Sequence, residues 1–88
     1  MDYIVYSHGP SKYYAKSMKI ALRFARNLSE MKRKDDFFIG KLNKTGQYET
    51  IGVAYWIPEK GAYFQKDTTG KDIRFIRKDG TLGSKLKW

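Results

Sequence analysis

Lys12-Tyr13-Tyr14-Ala15-Lys16-Ser17-Met18-Lys19-Ile20-Ala21-Leu22-Arg23-Phe24-Ala25-Arg26-Asn27-Leu28-Ser29-Glu30-Met31 is the stretch on which the reading of the fold turns. It holds no Gly or Pro and little β-branching, so it is predicted to form one helix of five turns or more, with Ser11 as its N-cap. At 100° per residue, Lys12, Lys16, Lys19, Arg23 and Arg26 fall within an arc of roughly 80°. Tyr14, Met18, Ala21, Ala25 and Leu28 oppose them, flanked by Tyr13, Ile20, Phe24 and Met31 on one edge and Leu22 on the other. The small Ala21 and Ala25 sit where the helix would approach a sheet closely. The basic run Lys32-Arg33-Lys34 closes the helix, where the dipole favours cations.

Strand signals flank this helix on both sides. Asp2 to Ser7 is rich in Tyr, Ile and Val, and His8-Gly9-Pro10-Ser11 follows as a turn. Beyond the helix, Phe37 to Leu42, Gln47 to Ile57, Ala62 to Lys66 and Asp72 to Arg77 read as strands. Turn chemistry separates them at Asn43-Lys44-Thr45-Gly46, Pro58-Glu59-Lys60-Gly61 and Asp67-Thr68-Thr69-Gly70. Asp79-Gly80 signals a tight hairpin, after which Leu82 to Trp88 alternates and either pairs back or packs. The expected fold is α+β: one long amphipathic helix on a mostly antiparallel sheet of about five strands, in the order β-α-β-β-β-β. No repeat or linker interrupts residues 1–88, which read as a single domain.

Composition narrows the function classes. The chain of 88 residues carries 18 Lys+Arg against 9 Asp+Glu, a formal charge of +9, and no cysteine. Without cysteine there is neither a disulfide framework nor a thiolate metal site. The N-terminal residues lack the basic region and apolar run of a signal peptide, and nothing approaches the roughly 20 apolar residues of a membrane span. A cytoplasmic location is the expectation. His8 is the one histidine, the carboxylates are scattered among turns and strand ends, and the glycines stand singly without a phosphate-loop pattern. The reading is therefore non-enzymatic, with no cofactor and no metal. A metal-independent endoribonuclease working with Tyr, Lys and Arg on a small sheet is the enzyme class that composition leaves open.

The cationic face is the informative feature. A solvated helix face ordinarily mixes signs, since i,i+4 pairs of opposite charge stabilise it by about 0.2–0.5 kcal/mol each. Five cations at helical spacing with no intervening carboxylate match a phosphate backbone better than they match solubility alone. Arg74, Arg77 and Lys78 on or beside the C-terminal hairpin, together with Lys32, Arg33 and Lys34, extend the expected contact set, although charge on a hairpin equally protects an edge strand. The expected partner is nucleic acid, DNA or RNA, gripped through phosphates. An acidic protein or nucleoprotein complex is the alternative. Aromatic residues in the strands must partly lie on the second sheet face, where, with Lys and Arg nearby, they are able to stack unpaired bases, although packing or a homodimer surface is the preferred reading.

The order strand, helix, Phe37-Phe38-Ile39-Gly40-Lys41-Leu42, Gly turn, strand resembles that of small phage-encoded anti-CRISPR proteins of β-α-β-β build, over roughly residues 2 to 64. The resemblance implies an inhibitor that occupies a nucleic-acid path on a host complex, and it carries over no functional residue. Many proteins of that class are acidic mimics of nucleic acid. This chain has the opposite sign.

Overall fold

The computed structural model describes residues 1–66 and 70–86. Seven strands and one helix follow in the order β1 (Tyr3–Tyr6), β2 (Lys12–Ala15), α1 (Met18–Met31), β3 (Phe37–Leu42), β4 (Tyr48–Ile57), β5 (Gly61–Gln65), β6 (Ile73–Ile76) and β7 (Leu82–Lys85). The strands form one fully antiparallel sheet in the spatial order β2-β1-β3-β4-β5-β6-β7. The architecture is thus α+β with one helix on one sheet. The expected five strands become seven, and a hairpin precedes the helix.

The additional N-terminal strand is a correction to the expected helix. Lys12–Ala15 pairs with β1 in the register Tyr3↔Ala15, Ile4↔Tyr14, Val5↔Tyr13 and Tyr6↔Lys12. The helix begins only at Met18, capped by Ser17 rather than Ser11. Ser17 has extended backbone, and its Oγ accepts from the Ile20 amide at 3.2 Å. Two adjacent tyrosines suit a pleated strand, and the ladder to β1 gives the backbone of residues 12–15 the partners that a longer helix would otherwise supply. Ala15 goes into the core at 1% exposure, a position fixed by strand alternation. The helix is therefore 14 residues long, and Lys32, Arg33 and Lys34 lie past its last turn rather than within it.

The apolar face of α1 is seated as its spacing predicts at Ala21 and Ala25, whereas Tyr13 and Tyr14, expected on that helix, are exposed on β2. Ala21 and Ala25 are fully buried, Leu22 nearly so, and α1 packs across strands β1 to β6, most extensively on β4 and β3. The core joins them to Val5, Phe37, Ile39, Ala54, Ala62, Phe64 and Ile76. The core thus combines the small Ala21 and Ala25 of the helix and Ala54 and Ala62 of the sheet with the larger Phe37, Ile39 and Phe64. Ser29 is also fully buried, and its hydroxyl donates to the Arg26 carbonyl at 3.0 Å. Met31 and Phe24, placed at the edge of the apolar face by periodicity, are exposed.

Two hairpins share one design. In the β3–β4 turn the Asn43 amide donates to Gln47 O and the Gly46 amide to Asn43 O; Arg77, Thr81 and Gly80 repeat this between β6 and β7. Each turn places a glycine at positive φ, Gly46 at 85° and Gly80 at 91°, as three-residue hairpin loops require. The C-terminal segment does pair back: Leu82 to Lys85 is β7, with Ile76↔Leu82 and Arg74↔Lys85 in register. The expected turn at Asp67-Thr68-Thr69 and the end of the tail at Lys87 and Trp88 lie outside the described residues.

Candidate functional site

The five-cation helical row does not exist as one row. Lys12 and Lys16 belong to or adjoin β2, an edge of the sheet, whereas Lys19, Arg23 and Arg26 are on α1. Arg26 is largely buried along its side chain and pairs with Glu30 at 3.4 Å, one helical turn on. Lys19 and Arg23 are thus the exposed helix cations. Lysines beside a short exposed edge strand also block edge-to-edge pairing, which accounts for Lys12 and Lys16 without a ligand.

The fold compensates by bringing a distant segment to the helix. Gly80, at the tip of the β6–β7 hairpin, is buried against the first turns of α1. A Cβ built on it would lie 2.0 Å from the Lys19 carbonyl oxygen and 2.7 Å from Arg23 Cγ. The hairpin tip therefore docks on the helix at the base of these two cations. Arg77 and Lys78 flank that tip and are exposed, and the charges of Lys19 and Arg77 both act on Asp79 in the turn. Asp79 is the carboxylate among them. Its Oδ1 accepts from the Thr81 amide at 2.9 Å and the Thr81 hydroxyl at 2.6 Å. Those hydrogen bonds, then the nearby charges of Lys19 and Arg77, hold its carboxyl below the ordinary value.

Arg77 is positioned rather than loose. Its Nη1 donates to Leu82 O at 2.9 Å and to Thr81 Oγ1 at 3.3 Å, and its guanidinium lies over Gly83, 3.5 Å from where a Cβ would stand. The remaining expected residues are elsewhere. Arg74 pairs with Asp72 at 3.0 Å, away from the hairpin tip. Arg33 donates to Glu30 O at 3.1 Å and stands 4.2 Å above the centroid of the Trp56 ring, a cation–π contact that occupies it structurally. Lys32 and Lys34 are exposed beyond the helix C-terminus, at the opposite end from Lys19.

The sheet face turned away from α1 is strongly aromatic. Tyr6 stacks on Phe38 with centroids 5.5 Å apart, Tyr14 meets Tyr48 at 6.1 Å, and Tyr63 meets Phe75 edge-on at 5.6 Å. Several of these rings are tied down by their hydroxyls: Tyr6 with Thr50, Tyr48 with Met1 O and Tyr55 with Gln65. Burial, and secondarily the charge of Asp36, pushes the Tyr55 hydroxyl above its ordinary pKa. Beside Tyr63 and Phe75 an open groove of about 540 Å³ carries Lys60, Arg77 and Lys85. The turn lysine Lys60 gave no periodic signal in the sequence, and only the tertiary structure sets it beside the β6–β7 hairpin.

Among the described residues no group of three or more His, Asp or Glu is gathered as a metal site, and no helix is long and apolar enough to cross a membrane. Comparison with known proteins finds no family model, no curated protein and no solved structure that matches this chain.

Proposed function

We propose that this protein binds nucleic acid through its phosphates, acting by occupancy rather than by chemistry. The observation that carries the reading is the docked hairpin. It sets the turn that bears Arg77 and Lys78 against the helix turns that bear Lys19 and Arg23, and the turn's carboxylate, Asp79, is engaged with its own turn. The contact set differs from the helical row expected of the sequence: four residues from two segments replace five from one. A surface of this kind reads backbone charge and not base order, so sequence selectivity is low.

The test is fluorescence anisotropy of labelled oligonucleotides across a salt series. Each phosphate contact contributes a slope in log affinity against log salt of roughly 0.9 for duplex and roughly 0.7 for single strands. The triple variant Lys19→Gln, Arg23→Gln, Lys78→Gln is expected to weaken binding and reduce the slope by about 2–3 on duplex. An unchanged slope refutes the patch. No binding by the wild-type chain at low salt redirects the charge to an acidic protein surface.

A further inference from the structure

We propose that the groove on the open sheet face is a second nucleic-acid site, one that takes an unpaired nucleotide, so that the preferred ligand is single-stranded. The inference rests on the nucleic-acid reading above but on different residues, with Arg77 common to both. The groove lies where β5, β6 and β7 run side by side, with Tyr63 on β5, Phe75 on β6 and Ser84 and Lys85 on β7. Its volume, about 540 Å³, falls within the roughly 300–1,000 Å³ of small-molecule sites.

Its chemistry has two halves. Tyr63 and Phe75 supply ring surface: both are partly buried, with planes 70° apart. The ring of Phe75 lies across Gly61, 3.0 Å from where a Cβ would be, so a side chain there would displace it. Tyr63, unlike Tyr6, Tyr48 and Tyr55, has its hydroxyl in no hydrogen bond with a described residue, leaving a donor for a ligand oxygen. The other half is charge. Lys60, Arg77 and Lys85 all line the groove, and no carboxylate of a described residue does. The two ion pairs formed between described residues, Arg26–Glu30 and Arg74–Asp72, do not include these three cations. Arg77 is held by Leu82 O while the rest of its fork stays available.

A ring pair bordered by uncompensated cations is complementary to a base bordered by phosphates. An apolar peptide would leave the three charges unmatched, and a duplex keeps its bases stacked away from the rings.

Three probes of equal length separate the possibilities: a labelled single strand of twelve thymidines, a twelve-base-pair duplex, and a single strand with abasic sugars throughout. The wild-type chain is expected to bind the thymidine strand at least about fivefold tighter than the abasic strand, the lower range of one base–aromatic stack. Tyr63→Leu, which keeps apolar bulk, is expected to erase that preference and leave duplex binding unchanged. The surface pair Lys60→Gln, Lys85→Gln poses no folding risk and is expected to lower the single-strand salt slope by about 1.4. Equal affinity for thymidine and abasic strands, or a preference that survives Tyr63→Leu, overturns the groove. If Lys19→Gln, Arg23→Gln, Lys78→Gln abolishes binding while Tyr63→Leu changes nothing, the patch stands and the groove falls. If thymidine binding survives the triple variant and is lost in Tyr63→Leu, the groove stands and the patch falls. Failure of every probe at low salt removes both.

Discussion

Replacing Gly80 by alanine tests the contact on which the helix-side surface depends. Two separable costs follow from the geometry. The backbone at Gly80 has φ of 91°, and an L-residue held in left-handed backbone costs roughly 1–2 kcal/mol. Independently, the new methyl would sit 2.0 Å from the Lys19 carbonyl oxygen and 3.0 Å from its carbon. Helix backbone cannot swing aside as a side-chain end can, so the hairpin tip must lift, and overpacking of this kind costs roughly 1–3 kcal/mol. Gly46 provides the control. It occupies the equivalent place in the β3–β4 turn, at φ of 85°, and nothing lies within 4 Å of its would-be Cβ. Gly46→Ala therefore carries the backbone cost alone, about 1–2 kcal/mol, whereas Gly80→Ala carries both, about 2–5 kcal/mol. Urea denaturation followed by far-ultraviolet circular dichroism measures each. For a chain of this length the whole stability is about 4–13 kcal/mol, so the larger cost leaves a folded population in the absence of denaturant over most of that range. Equal losses in the two variants would refute docking of the hairpin on the helix, and with it the proposed helix-side surface.

Ser17→Ala should cost about 1 kcal/mol by removing the cap on the Ile20 amide, while Ser11→Ala should be near neutral; the reverse pattern in denaturant midpoints would restore the longer helix. Asp79→Asn keeps an Oδ1 to accept from Thr81 but removes the carboxylate from the basic surface. Nucleic-acid affinity should rise, most at low salt, and anisotropy titration that finds it unchanged would remove Asp79's neighbours from the interface. The same variant has a signed pH effect. Asp79 is depressed in the folded chain, so its stabilisation is present above the unfolded carboxylate's value of about 3.9 and lost as pH falls through the lower folded value. Denaturation midpoints from pH 5 to 2 should fall less steeply for Asp79→Asn than for the wild type, and parallel curves would count against the assigned hydrogen bonds.

Local chemistry made much of the fold legible. Phe37 to Leu42 reads as a strand from its own residues, and its observed bounds are the same. Asn43 to Gly46 and Asp79-Gly80 announce their hairpins because only certain side chains close such turns or accept positive φ. Ala21 and Ala25 occupy the centre of the buried helix face because helical periodicity leaves them no other place. Residues 12 to 16 went the other way. Their composition suits a helix and a strand comparably, and pairing with β1 decides between them, a contact that no window on residues 12–16 contains.

The same distinction runs through the candidate sites. Composition alone establishes an excess of nine positive charges, which is a statement about long-range attraction and needs no fold. Which cations stand together is a different matter. The β6–β7 turn and the first turns of α1 are far apart in sequence and meet only because Gly80 has no side chain to hold the hairpin off the helix. Lys60 and Lys85 reach one groove only because β5, β6 and β7 lie side by side. Conversely, Arg26, Arg33 and Arg74 look free in sequence and are engaged with Glu30, Trp56 and Asp72 in the fold. Periodicity and turn chemistry act over a few residues, so they set most of the elements and the sign of the charge, residues 12–16 excepted. Surfaces are built from segments joined by packing, so only the tertiary structure decided which of those charges act together.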